Sequence, residues 1–386
     1  MNSKTILLVA STASMIKQFN LHNIDIVKKM GNKVIVAANF DEPGTIPKKD
    51  AIEFRKQLEK SGVATVQIDF QRGLKTPFKN ISTYRQLNKY VENNQIDLIH
   101  SQTPIGGVVG RLVGHKNKIK NLYVVHGFHF FKGASILNWL AYPVEKYLSR
   151  YTDYLVTINQ EDYDFAKSKL KIKNISKINS AGVDFKKIDK QVTKNKTAIR
   201  KSLRSQMKWN QDSTVMITVA ELSQRKNIST AIDAFVKADQ PDLNYLIVGK
   251  GPLEAELTNQ IERLNASNRI KVVGYSDQVP DYLSASDFML FISLREGLGL
   301  AGVEGLHFNL PVIGSNVRGI KDYVKDGKNG YLTDPKNVDE IAKTIIRLND
   351  AQNRKKLASK ASQSVENFDS KIVDKTMEDI YKKLLK

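Results

Sequence analysis

The sequence contains no cysteine. Disulfides and thiolate metal sites are therefore excluded. That composition fits a reducing compartment such as the cytoplasm. Long apolar runs are missing as well, since none approaches the ~20 residues that cross a bilayer. The apolar stretch Ile6 to Ala10, in MNSKTILLVASTASM, is too short for a signal-peptide core and reads as a buried first strand. A membrane would be met only from its surface. The first strand is followed by Ser11-Thr12-Ala13-Ser14 and not by Gly-x-Gly-x-x-Gly. A dinucleotide fingerprint is thus absent from its expected place, which speaks against an oxidoreductase. An obvious Asp-x-Asp metal clamp is lacking too. Asp162 and Asp164 have that spacing, but they read as the acidic first turn of a helix.

Negative charge is in short supply. Lys and Arg number 60 against 40 Asp and Glu, a net of +20. Residues 1–190 hold 30 basic and 16 acidic side chains, so most of the excess lies there. A basic half favours an anionic partner, such as a membrane face, a phosphorylated lipid or a nucleic acid. Solvated lysines are the plainer reading. No nucleic-acid recognition motif accompanies the charge, so nucleic acid is not expected as a partner.

What is present suits two globular domains: 386 residues with 41% hydrophobic side chains can build two cores. Short apolar strands alternate with helix-length patterns. Examples are Thr5–Ala10, Lys33–Ala38, Ala64–Ile68, Asp97–His100 and Leu122–His126, with a helix over Pro77–Asn93. This predicts α/β domains with parallel sheets. The series runs on through Tyr154–Ile158 and Ser176–Asn179, then stops at a charged stretch, 186–210, expected to be a linker and entry helix. It resumes at Val215–Ala220 and continues through Tyr245–Val248, Ile270–Val273, Phe288–Ile292 and Val312–Ile313. The expected division is therefore 1–185, 186–210 and 211–365, with a final amphipathic helix within 366–386. Two doubly wound domains would bind ligands at the carboxyl ends of their strands, with the cleft between them as the active site.

Three segments could carry chemistry. The first is SLREGLGLAGVEG, from Ser293 to Gly305, after an apolar strand. Gly297 and Gly299 would let the backbone approach a phosphate at a helix start. Glu304, a turn inside that helix, could accept hydrogen bonds from sugar hydroxyls, and Glu296 would face the same pocket. The plain alternative is a βα loop with solvated carboxylates. The second segment places Arg225 and Lys226 where a helix opens. Cations there oppose the helix dipole unless an anion sits between them, and a diphosphate would serve. The third is the strand end Val125-His126-Gly127-Phe128-His129. His126 could hydrogen-bond a substrate hydroxyl or phosphate, although strand-end histidines are often structural. No carboxylate cluster stands beside it, so no metal site is expected.

Weaker signals lie at Gly249 and Tyr275. The first could bring backbone near a ligand and the second could stand by a base ring, yet both fit ordinary turns. The stretch Phe128 to Tyr151 mixes Phe130, Phe131, Trp139, Leu140, Tyr142 and Tyr147 with Lys132, Lys146 and Arg150. It reads as a core-packing helix in preference to a membrane-interface segment.

At these residues the chain resembles the retaining GT-B glycosyltransferases of family four, in their bacterial capsular and exopolysaccharide form. The resemblance rests on Glu296 and Glu304 with seven residues between them, the lysine loop at Lys226, His126-Gly127, the hinge-like Ser180-Ala-Gly182-Val-Asp184, and Pro311-Val-Ile followed by Arg318-Gly319-Ile-Lys-Asp322. It implies an N-terminal acceptor domain, a C-terminal nucleotide-sugar domain and a last helix that crosses back to the first. Lys226 with Arg225 would hold the donor diphosphate. Backbone from Gly297 through Leu298 and Gly299 to Leu300 would meet phosphate and sugar. Glu296 would contact the transferred sugar, Glu304 the ribose, and His126 the reacting centre. Ser11, Thr12 and His129 would lie on the acceptor side. No cofactor is implied beyond the nucleotide-sugar co-substrate, with UDP preferred. Reaction without metal is implied, and so is a glycan or polyprenyl-diphosphate-linked acceptor at the inner membrane face. The chain departs from the pattern where Glu221 replaces the arginine usual before the lysine loop, and where Asp322 replaces a glutamate. A non-catalytic accessory subunit and a nucleotide-sugar epimerase are the rival readings. Oligomeric state is not legible.

Overall fold

The computed structural model describes residues 3–71, 77–131 and 133–386, with 77–79 by backbone alone. Lys132 of the aromatic and basic stretch lies outside the described residues. The chain divides into two compact units, Met1–Ala181 with Lys371–Lys386, and Gly182–Ser370.

The first unit holds a parallel sheet of β1 (Thr5–Val9), β2 (Lys33–Ala38), β3 (Ala64–Gln67), β4 (Leu98–Gln102), β5 (Lys120–Val125), β6 (Tyr154–Thr157) and β7 (Ile175–Lys177). Their order is β3-β2-β1-β4-β5-β6-β7. Leu7, Val9, Ile99 and Val113 are buried in one core layer. The helix Pro104–Lys116 is so close to the sheet that a Cβ on Gly107 would lie 2.3 Å from the Tyr123 ring. The second unit repeats the plan with β8 (Thr214–Val219), β9 (Leu243–Val248), β10 (Ile270–Val272), β11 (Phe288–Phe291), β12 (Val312–Ser315) and β13 (Gly330–Thr333), ordered β10-β9-β8-β11-β12-β13. Strands buried on both faces explain the unbroken apolar runs in the sequence. In each sheet the order reverses once, beside β1 and β4 and again beside β8 and β11. Parallel strands whose crossovers diverge on either side leave a crevice at such a point, beyond their carboxyl ends.

The last helix, Ser370–Leu385, buries Val373, Met377, Ile380, Tyr381 and Leu384. Its residues from Lys371 onward belong to the first unit. The hydroxyl of Tyr381 meets Nδ1 of His100 at 2.7 Å, and Lys120 Nζ donates to the Leu384 carbonyl at 2.8 Å. The two passages of the chain between the units adjoin: Val183 N donates to Phe368 O at 2.8 Å, and Ser370 N to Val183 O at 3.0 Å. Gly182 has φ +68° there, and a Cβ on it would lie 2.5 Å from Ser370 Cα, so only glycine fits.

Residues 186–210 hold a helix, Lys196–Met207, where an entry helix was expected, and it does not stand apart but belongs to the second unit. Its charge conceals an anchor. Arg204 is fully buried and donates to Ser213 O at 2.9 Å, Ala285 O at 3.1 Å and Asp287 at 3.0 Å. Phe128 to Tyr151 is not the single core helix expected. Phe128 and Phe130 are buried, but the short helices Ile136–Trp139 and Ala141–Leu148 leave Ile136 85%, Leu137 77% and Leu140 62% exposed. Among the described residues no helix is long and apolar enough to cross a membrane.

Candidate active site

In the second unit, the loops after β8 and β11 are stitched together at the switch point. Leu294 N donates to Arg225 O at 2.9 Å. Asn227, in the left-handed conformation at φ 60°, sends its amide to Ile292 O at 3.2 Å and Pro335 O at 2.7 Å. This brings Arg225 and Lys226 onto Glu296. Arg225 Nη1 reaches Glu296 Oε1 at 3.1 Å, and Lys226 Nζ donates to the same oxygen. Lys226 Nζ also stands 5.0 Å over the Phe291 ring. Burial lowers the pKa of Lys226 and outweighs the opposing pull of Glu296. Two cations thus converge on one shielded carboxylate, and Arg225 also faces the half-exposed Glu221.

The helix Leu300–His307 begins beside them. Its N-terminus has no side-chain cap and no acidic residue in the first turn, so the nearest carboxylate is that of Glu296, already shared with Arg225 and Lys226. Gly299 has φ +83°, and a Cβ on it would fall 2.7 Å from the Phe291 ring. The Tyr323 hydroxyl donates to Gly299 O at 3.1 Å and fixes the turn. Glu304 is on the same helix with its pKa pushed up to about 7 by burial. Glu221, which stands where an arginine was expected, faces Arg225 at 3.9 Å with its side chain half exposed. Two other candidates are less enclosed or otherwise explained. Tyr275 is 71% exposed, with its hydroxyl on Asp277 at 2.8 Å. Gly249 is required by packing, since a Cβ there would lie 1.8 Å from Ala220 O.

In the first unit the candidates fall into two places. Ser11, Thr12 and His129 line one cavity of about 560 Å³. Ser11 is also tied into the β4 turn, its hydroxyl 2.7 Å from that of Thr103. His126 lines a second, smaller cavity with Gln102 and Phe19. Its Nε2 is 2.7 Å from Gln102 Oε1. The tautomer follows from the neighbours. Asn20 Oδ1 accepts from Asn23 Nδ2 at 3.2 Å, while Asn20 Nδ2 donates to Met15 O at 3.2 Å. Gln102 must therefore turn its amide nitrogen to Asn20 and its oxygen to His126. His126 then carries its proton on Nε2 and presents Nδ1 as an acceptor. Gln102 Nε2 also approaches His100 Nε2 at 3.2 Å, which puts the His100 proton on Nδ1, toward Tyr381. Burial depresses both rings, His126 to about 4 and His100 to about 3, the latter also by repulsion from His126. Gln102, His100 and Tyr381 were not expected. The polar run His100-Ser101-Gln102 at the end of an apolar strand was the available signal.

Asp162 is occupied structurally. Its carboxylate accepts from Phe128 N at 3.3 Å and Asn159 Nδ2 at 2.7 Å. Asp164 accepts from Gln160 at 2.9 Å. The Asp-x-Asp spacing serves a helix start and the loop that follows β5.

The family description for glycosyl transferases group 1 fits residues 199–365, and the one for glycosyl transferase 4-like proteins fits 6–159. EpsD of Bacillus subtilis, a protein named as a glycosyltransferase, is 31% identical over 98% of this chain and 96% of its own length. The chain belongs to the group 1 glycosyltransferase family. A galactosyltransferase of Escherichia coli, named for transfer from UDP-Gal to GlcNAc-diphosphoundecaprenol, is 26% identical over 70% of this glycosyltransferase and 71% of its own chain. The fold is GT-B. HepE of Anabaena, solved with UDP and glucose, superposes with TM-score 0.75 at 21% identity, over 98% of this chain and all of that one. A Rickettsia africae glycosyltransferase gives 0.78 at 18% identity, with both chains fully covered.

Proposed function

We propose that this glycosyltransferase takes a sugar from a UDP-sugar, without a metal ion and with retention, and delivers it to a lipid-linked glycan acceptor in surface-polysaccharide synthesis. The observation that carries the reading is the Lys226–Arg225–Glu296 cluster beside the uncapped helix start at Leu300. As the bond from the sugar C1 to the β-phosphate oxygen breaks, charge grows on the departing diphosphate. Two cations and a helix N-terminus, fixed before the reaction, stabilise that charge without reorganising. Glu296 orients the cations in the free protein and hydroxyls of the sugar once the donor is bound. Glu304 takes the ribose hydroxyls. The acceptor oxygen forms its bond to C1 on the face the phosphate leaves, and its proton passes to the leaving group. His126, neutral and with Nδ1 turned to accept, orients a substrate hydroxyl in the first unit. Gly297 to Leu300 supply backbone donors, and Ser11, Thr12 and His129 stand on the acceptor side.

The names of the Escherichia coli relative and of HepE support UDP as nucleotide and a lipid diphosphate as acceptor carrier. The basic character of residues 1–190 supports contact with the inner membrane face. The test is transfer from a panel of nucleotide sugars in EDTA, with the product anomer read by NMR. Turnover that depends on added metal, or an inverted product, would refute the reading. Absence of any donor binding would favour an accessory subunit.

A further inference from the structure

The cavity of about 560 Å³ in the first unit is larger and more apolar than a sugar needs. One rim is polar, with Ser11, Thr12, Thr103 and His129. Gln18, Thr45 and Gln71 extend the polar side, and the opposite wall is mainly apolar, with Ile105, Val108, Phe128, Phe130 and Ala141 beside Glu145, whose carboxylate is paired with Arg111. Leu137 and Val144 also line it, yet they are 77% and 45% exposed, so the outer wall of the cavity is itself open to the outside. Leu137, Leu140, Val144 and Tyr147 recur at spacings of three and four, the pattern of a helix face meant for an apolar environment. With Ile136, these exposed side chains concentrate apolar surface in one short segment, which marks an interaction surface.

Cations flank it. Lys146 Nζ sits 5.7 Å from the Tyr142 ring centroid, and the Arg150 guanidinium 4.5 Å from that of Tyr147. Aromatic rings with long basic side chains beside an apolar ridge suit the boundary between acyl chains and anionic headgroups. The positive excess of residues 1–190 has the same sign preference.

We infer that this cavity binds the hydrocarbon chain of a membrane amphiphile, which enters past the helices Ile136–Trp139 and Ala141–Leu148 while they rest on an anionic bilayer. The polar rim receives the headgroup end of the amphiphile, and the apolar wall takes the first part of its chain. The inference rests on the lipid-linked acceptor proposed above and specifies where its lipid part is held.

The test uses the full chain and soluble isoprenyl phosphates. Trp139 packs 5.8 Å from Phe130, one of the lining residues, and reports binding by its fluorescence. Inorganic phosphate, geranyl phosphate and farnesyl phosphate are titrated in turn, with UDP titrated separately. Each buried methylene raises affinity about fourfold, so farnesyl phosphate is expected to bind at least 100-fold tighter than inorganic phosphate. Ala141→Phe and, as a second variant, Val108→Phe are expected to remove at least tenfold of the farnesyl affinity and leave UDP binding unchanged. Ile136→Ser with Leu140→Ser is expected to abolish sedimentation with vesicles containing phosphatidylglycerol and to keep binding of soluble farnesyl phosphate. Affinity independent of chain length, or unaffected by both cavity-filling variants, overturns the inference even if UDP binds. Failure of UDP to bind, with chain-length dependence intact, overturns the donor reading and leaves the cavity assignment standing.

Discussion

Glu304 and Gln102 make separate claims about protons. With its pKa near 7, Glu304 holds a proton in part of the free molecules at neutral pH. Hydroxyl donors favour the carboxylate, so nucleotide binding pulls that pKa down. Calorimetric titration of UDP at pH 6, in buffers of different ionisation enthalpy, should record proton release that Glu304→Gln reduces, the remainder coming from the diphosphate itself as it meets Lys226 and Arg225. No release in the wild type would contradict the ribose role. The same group has a stability signature. Its folded pKa lies above its unfolded one, so it favours the folded state below about pH 4.5 and loses that contribution as pH rises through 7. Gln102→Glu would set an opposite charge against the Nε2–H of His126 and raise the His126 pKa from about 4. An NMR titration reads this directly, and an unchanged pKa would show that Gln102 does not govern the ring. Glu296 and Lys226 were legible in the sequence because each lies within a few residues of a strand end and a helix start. The Gln102–His100–Tyr381 chain was not, because its ends stand 281 residues apart and only the folded sheet joins them.

At the scale of elements, two junctions carry the site. The turn into the helix Leu300–His307 requires Gly299. Gly299→Ala would meet a left-handed backbone cost of ~1–2 kcal/mol and overpacking against Phe291 of ~1–3 kcal/mol. Donor affinity should fall with stability, both read by thermal unfolding with and without UDP. A variant as stable as wild type would contradict the packing described. The last helix is tied to β4 through Tyr381 and His100. Tyr381→Phe leaves a buried N–H without its partner and should cost about 1–3 kcal/mol, measured by denaturant unfolding. The strand series of both sheets was readable from apolar runs and turn residues except for β13, whose four residues Gly330–Thr333 make too short and too polar a run to stand out. The helix Lys196–Met207 was expected as an entry helix, but the burial of Arg204 was not, because its neighbouring lysines and arginines imitate a solvated surface. The apolar face of Ile136–Leu148 misled in the opposite sense: the pattern of a core helix lies on the surface.

For the whole molecule, the two sheets repeat one plan, and each places its candidate residues at the reversal of strand order. Arg225, Lys226 and Glu296 follow β8 and β11, and Ser11 and Gln102 lie at the ends of β1 and β4. Repetition of a fold is visible in the rhythm of a sequence. The chemistry of an apolar cavity is not, because its walls come from six separate stretches of chain. The uneven charge makes membrane association depend on salt: sedimentation with anionic vesicles should weaken from 50 to 500 mM salt, beyond which the Debye length falls to about 3–5 Å. Binding that ignores salt would assign the contact to apolar insertion alone.

In the reading proposed here, Lys226 and Arg225 of the second unit hold a nucleoside diphosphate in place of a metal. Calorimetric titration of UDP into the full chain in EDTA tests it most directly. The account predicts binding that Lys226→Ala weakens at least 100-fold while the variant stays folded. UDP binding that requires added divalent metal, or that survives Lys226→Ala unchanged, would contradict it.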